Sequence, residues 1–338
     1  MKAVVQTQYG APEDLELRDL PSPRPARDEV LVRVRAASVH PDVWHVVTGR
    51  PRVLRLMGSG LRRPRNPVPG TDLAGTVESV GADVTRFRVG NQVFGESIRG
   101  VQWVNGGTYA ELAVAPETGL AAKPPDISFE QAATVPTAGL IVLHNLAGVG
   151  PIRPGQQVLV NGAAGGVGGI AVQLAVAYGA RVTGVDSGEK RDVVLALGAH
   201  RFIDFRAEDF TRGSEQYDLV FDVPGNHSFR ECRRVIARDG LYVLIGHDHF
   251  GTVGRRWFGS IPRFVGLMAA TPFAKQLPRL NLKAPDKAEA MALLAELLAA
   301  GKLTPVIDRT FPLAEVPAAI RHLASGQARG RVVITMDG

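Results

Sequence analysis

The chain has 338 residues, a formal net charge of +6 and a pI near 9.7, with 45% hydrophobic and 21% charged residues. This length suits two domains with sizeable cores, and the composition is that of a globular protein. The single cysteine, Cys232, excludes a disulfide framework and a cysteine-based metal cluster, and it fits a reducing compartment. No apolar run is long enough to cross a bilayer, so we expect a cytoplasmic protein. The modest positive charge favours anionic ligands without implying nucleic acid.

Residues 1–125 predict a mostly β region. The start, 1–5, alternates like a first strand and does not have the pattern of a signal peptide. Residues 30–36 and 73–80 alternate with the period of two that a half-buried strand requires. Proline and glycine interrupt the region at short intervals, which favours an irregular barrel.

The pattern becomes helical at Ser128. This serine is a suitable N-cap for a helix that starts at Phe129, and Gln131 completes a capping box. A second helix is predicted over about 137–146, after which the Pro-Gly pair at 154–155 turns the chain into a central strand.

Strands and helices then alternate, which predicts a parallel doubly wound sheet and an α/β fold. Strands are predicted at 157–161, 181–186, 201–204, 218–223 and 241–245, with helices near 166–178, 189–197 and 228–237. The segment 247–285 breaks this rhythm, and an amphipathic helix at 286–300 follows it. Strands expected at 306–311 and 331–335 return to the N-terminal barrel. We therefore predict one domain at 1–126, completed by about 300–338, and a second at 127–299.

A glycine-rich turn joins the strand at 157–161 to the next helix. Alanine replaces the first glycine of the common GxGxxG form in this turn. Glycine lets the backbone turn sharply beside a pyrophosphate, and the new helix offers free N–H groups and a positive dipole end. The order strand, turn, helix predicts a dinucleotide site, whereas the alternative is a turn without a ligand. The predicted binding residues are Asn161, Gly162, Ala163, Ala164, Gly165, Gly166, Val167 and Gly168.

Asp186 ends the second strand, 18 residues after Gly168. A carboxylate there accepts both ribose hydroxyls of NADH and repels the 2′-phosphate of NADPH. Ser187, Lys190 and Arg191 follow at once and could bind that phosphate instead. Both coenzymes therefore stay open, with Asp186 favouring NADH.

Several further motifs are shared with a known family. They are Ala37-Ser38-Val39-His40-Pro41, the stretch from Pro69 to Val77, Gly90-Asn91-Gln92-Val93-Phe94-Gly95, Gly107-Thr108-Tyr109-Ala110-Glu111, the segment from Phe129 to Leu140, Leu197-Gly198-Ala199 and Gly330-Arg331-Val332-Val333-Ile334. With the glycine turn, they make the chain resemble a zinc-free medium-chain dehydrogenase/reductase of the quinone oxidoreductase (zeta-crystallin-like) branch. The resemblance implies a GroES-like catalytic domain, a Rossmann domain, a cleft between them, hydride transfer from a nicotinamide, NADPH slightly ahead of NADH, and a homodimer.

Zinc members of this family hold the metal with cysteine and histidine. The resemblance places the three ligand positions at His40, Thr71 and near Thr137, and a catalytic zinc needs three protein ligands. Since only His40 can bind metal, we expect no metal site. The substrate must then be electrophilic already, such as a quinone or the β-carbon of an enone, because such molecules spread the developing charge themselves.

The resemblance places three candidate catalytic residues on the substrate side of the cleft. His40 and His45 are there, and a histidine can hydrogen-bond or protonate a reduced oxygen. The alternative is that both merely pack the pocket wall. Thr137 lies where the second helix approaches the nicotinamide, or it is an ordinary helix start. Arg331 is a candidate cofactor contact, with a solvated strand end as the alternative.

Two basic, acid-free segments flank the cleft in the family layout. Residues 43–71 contain six arginines, and residues 250–285 contain six basic residues, both mixed with apolar side chains. One hypothesis is an apolar, positive entrance to the cleft that also touches an anionic membrane. The preferred interpretation is ordinary loops whose apolar residues cover core or a dimer contact, without a membrane contact.

The favoured function is a zinc-independent NAD(P)H oxidoreductase that reduces quinones or activated C=C bonds, with a small apolar electrophile as its partner. One alternative is a zinc-free alcohol dehydrogenase acting on carbonyls, with His45 as the proton donor. Another is a non-catalytic relative that binds cofactor or RNA, although no RRM or KH motif is present in the sequence.

Overall fold

The computed structural model describes residues 1–100, 104–246, 257–278 and 286–336. The strands are β1 (Lys2–Val5), β2 (Glu16–Asp19), β3 (Glu29–Val39), β4 (Asp72–Val80), β5 (Gln92–Glu96), β6 (Leu112–Pro116), β7 (Leu120–Ala122), β8 (Gln157–Asn161), β9 (Arg181–Asp186), β10 (Arg201–Asp204), β11 (Tyr217–Asp222), β12 (Ile236–Leu244), β13 (Ile307–Pro312) and β14 (Arg331–Thr335). The helices are α1 (Pro41–Thr48), α2 (Phe129–Ala133), α3 (Pro136–Ala147), α4 (Gly166–Ala177), α5 (Arg191–Ala196), α6 (Phe229–Cys232), α7 (Ile261–Ala270), α8 (Lys287–Ala299) and α9 (Val316–Ala324).

Five strands form an all-parallel sheet in the order β10-β9-β8-β11-β12. The predicted α/β fold with a doubly wound parallel sheet is therefore confirmed. Strands β8, β9 and β10 have the predicted bounds, and β11 is displaced by one residue. The N-cap of α2 is Ser128, and its reciprocal hydrogen bonds with Gln131 form the predicted capping box.

The predicted helix at 228–237 is wrong in its second half. Helix α6 ends at Cys232, a single 3₁₀ turn follows, and β12 begins at Ile236. Ile236 pairs with Tyr217 at the start of β11, and the register then shifts so that Leu219 faces Leu241. Pairing with the sheet and burial of Ile236 outweigh the helical tendency of the local sequence.

The second large sheet has seven strands, in the order β13-β14-β3-β4-β5-β7 with β6 also paired to β3. Its central strand, β3, pairs antiparallel with β4 and with β14 from the other end of the chain. The expected return of 331–335 to the N-terminal sheet is thus observed. The domain limits at 1–126 and 127–299 stay predictions.

The parallel sheet and the helices beside it share one apolar core. Val158 and Val160 of β8 pack with Leu174 of α4 and with Leu294 of α8 in this core. Gly139 on α3 lets Leu294 approach closely, because a Cβ there would lie 2.6 Å from a Leu294 methyl carbon. This packing fixes the position of the start of α4, where the glycine turn lies.

The irregular segment at 247–285 contains α7, which the sequence pattern did not predict. Residues 247–256 and 279–285 of this segment lie outside the described residues. Among the described helices, none combines the length and the apolar character that crossing a membrane requires.

Candidate coenzyme and active site

The glycine turn has the backbone geometry that a dinucleotide needs. Gly162 has a φ of +80°, which favours glycine, and Gly165 is the N-cap of α4. A Cβ on Gly168 would overlap with the carbonyl oxygen of Gly162, so the helix can pack this close to the turn only without a side chain there. The first amides of α4 have no acceptor within their own helix and present a positive dipole end to an anion.

A groove with about 410 Å³ of open space lies against this turn. Gly165 and Gly166 line one side of it, and Arg331 from β14 and Val135 line another. Of the predicted turn residues, Ala164, Gly165 and Gly166 line this groove. The open space beside these glycines and the free amides at the start of α4 fit a pyrophosphate.

Asp186 is held inside the structure by its neighbours. One of its oxygens accepts a hydrogen bond from the amide of Ala164 at 2.9 Å, and the other accepts from the amide of Ser187 at the same distance. The Nζ of Lys190 lies 3.7 Å from the second oxygen. Asp186 therefore ties the glycine turn to the end of β9.

The residues predicted to bind a 2′-phosphate differ in their surroundings. Ser187 is buried, and the Lys190 side chain is mostly buried beside Asp186. Arg191 is exposed, with its guanidinium 5.9 Å from the Phe202 ring. Lys190 partly neutralises the carboxylate of Asp186, which weakens the electrostatic repulsion between that carboxylate and a phosphate.

Asn161 belongs to a hydrogen-bonded group at the carboxyl ends of β8 and β11. Its Nδ2 donates to Asp222 at 2.8 Å and to Asn226 at 3.0 Å. Asp222 is completely buried and also accepts from the Tyr242 hydroxyl at 2.7 Å. This group fixes the edge of the sheet at which the turn begins.

Arg331 is buried, at 7% exposure, which rules out the alternative of a solvated strand end. Its guanidinium packs on Gly166, where a Cβ would overlap with Nη1. Its Nη2 donates to Ser38 at 3.2 Å and lies 3.8 Å from the carboxylate of Asp72. Arg331 thus places a positive charge at the start of α4, although burial lowers its pKa.

Asp72, at the start of β4, is completely buried and surrounded by donors. Its Oδ1 accepts from the amide of Thr137 at 3.0 Å and lies 2.5 Å from the Thr137 hydroxyl. Its Oδ2 accepts from the Ser38 hydroxyl at 2.8 Å and faces Arg331. Hydrogen-bond donors from Thr137 and Ser38 therefore converge on this one carboxyl group, with the Arg331 guanidinium beside it.

The Thr137 hydroxyl lies between two carboxyl groups. Besides Asp72 at 2.5 Å, it is 2.7 Å from Oε1 of Glu96, and it is 3.4 Å from the hydroxyl of Thr71. A hydroxyl has one proton to donate, so it cannot serve two carboxylates at these distances. One of the two carboxyl groups must therefore carry a proton, and we assign it to Glu96, because burial raises the pKa of that carboxyl group.

Glu96 ends β5 and is buried, and this burial raises its pKa above the ordinary value. The neighbouring charge of Asp72 acts in the same direction, whereas Lys287 opposes it. Lys287, the first residue of α8, places its Nζ 2.5 Å from Oε2 of Glu96, and its side chain is 26% exposed. A continuous chain of polar groups thus runs from solvent at Lys287 to the buried hydroxyl of Thr137.

Both candidate histidines are buried at α1. His40 is the N-cap of the helix, and its Nδ1 lies 3.3 Å from the amide nitrogen and 3.2 Å from the carboxylate of Asp42. Its Nε2 has no hydrogen-bond partner within the described part of the chain. The Nδ1 of His45 lies 2.8 Å from the carbonyl oxygen of Arg50, which favours the tautomer protonated at Nδ1.

Within the described ranges, no group of three or more histidine, cysteine, aspartate or glutamate side chains could hold a metal ion. At the three positions compared with zinc ligands, His40 alone offers a nitrogen, and Thr71 and Thr137 offer hydroxyls that contact each other. Neutral hydroxyls are poor zinc ligands compared with thiolate, imidazole and carboxylate groups. The donor set at these positions therefore does not fit a catalytic zinc.

Comparisons with known proteins cover the whole of this architecture. Residues 26–125 match the family model for the alcohol dehydrogenase GroES-like domain, and residues 197–334 match the one described as zinc-binding dehydrogenase. The quinone oxidoreductase of Pseudomonas aeruginosa is 31% identical over 98% of this chain and 99% of its own length. The chain belongs to the medium-chain dehydrogenase/reductase family, in its quinone oxidoreductase branch.

Solved structures of this family superpose on the full chain. The quinone oxidoreductase from Coxiella burnetii is 28% identical with a TM-score of 0.82, and 99% of each chain is covered. The Escherichia coli quinone oxidoreductase complexed with NADPH is 25% identical with a TM-score of 0.80, covering 99% of this chain and 100% of its own. As a member of this family, the protein is an NAD(P)H-dependent oxidoreductase with GroES-like and Rossmann domains, as predicted.

Sequence reasoning missed three members of the site of this oxidoreductase: Asp72, Glu96 and Lys287. They come from β4, β5 and α8, and nothing in their local sequence links them. A signal was present for Asp72, which follows Thr71 inside a motif that carries the family resemblance. Lys287 is 191 positions after Glu96, so only the folded sheet brings the two together.

Replacement of Gly168 by alanine tests the cradle. The new methyl group meets the backbone oxygen of Gly162, which cannot rotate away, so we expect coenzyme affinity to fall by at least about tenfold, or 1.4 kcal/mol. Gly213→Ala is the control, since Gly213 is exposed, does not line the groove, and offers its Cβ an ordinary contact at 3.4 Å. Fluorescence titration with NADPH and with NADH measures the affinities, and equal affinities for both variants would contradict the assignment.

Proposed function

We propose that this oxidoreductase reduces quinones and activated C=C bonds without zinc. The observation that carries the proposal is the single Thr137 hydroxyl between the carboxyl groups of Asp72 and Glu96, at a position where zinc relatives have a metal ligand. The printed names of the relatives, quinone oxidoreductases from Pseudomonas aeruginosa, Coxiella burnetii and Escherichia coli, support the substrate class.

The coenzyme, when bound, supplies a hydride to the substrate. The chain's part is to hold it: the amides at the start of α4 face the pyrophosphate, Arg331 adds a positive charge, and Asp186 with Lys190 meets the adenosine ribose. These are the predicted cofactor contacts, and their placement around one turn supports them as a group.

The absence of suitable zinc ligands at Thr71 and Thr137 restricts the substrate. An ordinary ketone needs a Lewis acid or a strong proton donor to stabilise the alkoxide that forms as hydride arrives. A quinone or an enone delocalises that charge over its own π system, so a few hydrogen bonds suffice. The hydroxyl donors of this site therefore suit conjugated electrophiles.

The reduced substrate also needs a proton, and the buried chain can provide it. For the transfer, the Thr137 hydroxyl turns its proton away from Asp72 and passes it to the substrate oxygen, directly or through Thr71 at 3.4 Å, while it takes a proton from Glu96. Glu96 then regains a proton from solvent beside Lys287. In this proposal Thr137 acts as the predicted catalytic residue, while Glu96 acts through it. His40 offers a buried Nε2 that can bond to the same substrate.

His45 is the predicted donor for the alternative carbonyl reductase. Because its Nδ1 proton is directed to the carbonyl oxygen of Arg50, the neutral ring has only an acceptor at Nε2. It can donate there only as an imidazolium. This geometry favours reduction of quinones and enones over reduction of simple carbonyls.

The substrate class and the metal independence can be tested together. We expect oxidation of NADPH or NADH, followed by absorbance, with quinones and enones and not with simple ketones. Prolonged treatment with a metal chelator should leave the rate unchanged, because no donor set for zinc is present at the family's ligand positions. A rate confined to ketones, or one abolished by the chelator and restored by zinc, would contradict the proposal.

Replacement of Glu96 by glutamine tests the proton chain. The amide preserves hydrogen bonds to Thr137 and Lys287 but cannot release a proton, so we expect kcat to fall by about 100-fold while the KM for coenzyme stays constant. Glu96 must be protonated to supply its proton, so the wild-type rate should be high at low pH. It should fall as pH rises through the pKa of Glu96, which burial raises above its ordinary value. In the variant this decline should disappear.

The control for this experiment is Glu296→Gln, at an exposed position of α8. It should leave both kcat and its pH profile unchanged. A Glu96→Gln variant that lost thermal stability and activity in parallel, yet kept the wild-type pH profile, would show a purely structural role for Glu96.

Lys190→Ala tests the choice of coenzyme. Lys190 lies beside Asp186 and can reach a 2′-phosphate, so we expect NADPH affinity to fall by about tenfold while NADH affinity changes little. Arg88→Ala, at an exposed position in the β-rich region, is the control. Equal losses for both coenzymes would mean that Lys190 supports Asp186 and does not select the phosphate.

A further inference from the structure

The two acid-free segments, 43–71 and 250–285, meet on one side of the protein. The amide of Val53 donates to the carbonyl oxygen of Trp257 at 3.0 Å. The guanidinium of Arg52 lies 4.7 Å from the centre of the Trp257 ring, and Pro51 packs against Gly259. The two segments are therefore in contact at 51–53 and 257–259, and we name the exposed side chains of their described parts the basic apolar surface.

One face of helix α7 packs against the protein in the described part of the chain. Arg263 donates to the carbonyl oxygens of Gly225 and His227, and the Phe264 ring packs against Gly246. Leu267 packs against the apolar core that includes Tyr242. These contacts hold α7 to the end of the parallel sheet and fix which of its side chains point outward.

The outward face of α7 and its continuation have an apolar surface. Val265, Met268 and Phe273 are exposed, and the residues between them on this face are glycine, alanine and proline. Phe273 is 89% exposed. Because exposed apolar area is unfavourable in water, a continuous face of this kind indicates a binding partner.

The exposed apolar residues of the chain are concentrated here. Of the thirteen large hydrophobic side chains that are exposed in the described residues, eight belong to these two segments: Leu56, Met57, Leu61, Trp257, Phe258, Val265, Met268 and Phe273. The interpretation that such residues cover core is therefore wrong for these eight, although Leu54 is buried as that interpretation required.

The charge of the surface indicates the partner. Arg52, Arg62, Arg63, Arg65 and Lys275 are exposed, and no aspartate or glutamate occurs in either segment. A second copy of the chain placed symmetrically on this surface would oppose arginine to arginine, without acids to pair them. An anionic lipid surface suits both the apolar and the basic side chains. It accepts exposed aromatic and aliphatic groups, and it attracts the cations around them.

We propose that the basic apolar surface binds the anionic surface of a lipid bilayer. The exposed side chains of Trp257, Phe258 and Phe273 enter the headgroup region, and the arginines at 62–65 contact lipid phosphates. Such docking would bring the protein to the phase in which long apolar quinones dissolve, a use that rests on the proposed function. The docking itself does not require that function.

Co-sedimentation with lipid vesicles tests the proposal without coenzyme or substrate, so its result is separate from that of any activity assay. The full chain should sediment with vesicles of phosphatidylglycerol and phosphatidylcholine, less so as salt rises, and should stay in solution with phosphatidylcholine alone. An absence of sedimentation with the anionic vesicles at low salt would overturn the proposal.

Two variants assign the binding to this surface. The triple variant Val265→Ser, Met268→Ser, Phe273→Ser should lose most vesicle binding, and Arg62→Ser with Arg63→Ser should weaken it by about fivefold per arginine. The controls are exposed residues elsewhere, Val89→Ser with Phe205→Ser and Arg88→Ser, which should bind as the wild type does. Control variants that lost binding equally would overturn the assignment.

The alternative occupant of this surface is a second copy of the chain. Analytical ultracentrifugation of the wild type and of the variants tests this alternative. If the triple variant changes a dimer to a monomer and the wild type does not bind the anionic vesicles, the surface is an interface between copies and the proposal is wrong. An unchanged oligomeric state together with lost vesicle binding supports it.

Discussion

The buried carboxylate of Asp72 is the interaction on which both the fold and the site depend. It joins four elements: its own strand β4, Ser38 on β3, Thr137 at the start of α3, and Arg331 on β14. Arg331 in turn packs on Gly166 where the coenzyme helix begins. A single carboxyl group thus links the β-rich region to the start of α4. Removal of one partner would leave a charge buried without compensation, which proteins tolerate poorly.

Local patterns in the sequence predicted much of the fold. Period-two alternation and the capping box at Ser128 and Gln131 depend on neighbouring residues, so the strands around the glycine turn and the start of α2 were predicted accurately. The helix predicted through 233–237 was wrong because Ile236 is held by a distant strand, which no local pattern reports. The unexpected α7 has the same cause, since its anchors on Gly225 and His227 are remote in sequence.

The residues of the candidate site likewise fall into two groups: those within one local motif, which the sequence predicted, and those brought together by distant elements, which it did not. The glycine turn and Asp186 lie within one contiguous motif, and the structure places them together. The pair of acids could not be predicted from the sequence, because Asp72 and Glu96 become neighbours only when β4 and β5 pair. Lys287 belongs to α8, much later in the chain, and reaches Glu96 only in the folded protein. The resemblance located Thr137, but it could not reveal that two carboxyl groups compete for its hydroxyl proton. That competition follows from the distances between the Thr137 hydroxyl and the two carboxyl groups, which only the folded structure gives.

The position of Arg331 has a consequence for how the protein matures. The parallel sheet is finished at β12, yet the positive charge beside its phosphate-binding helix belongs to the last strand of the chain. During synthesis, the nucleotide-binding unit emerges from the ribosome long before that strand. Because Val333 of β14 also belongs to the apolar core of the parallel sheet, this unit is completed only when β14 has joined β3. In the proposed coenzyme site, full affinity therefore requires a strand that is synthesised well after β12.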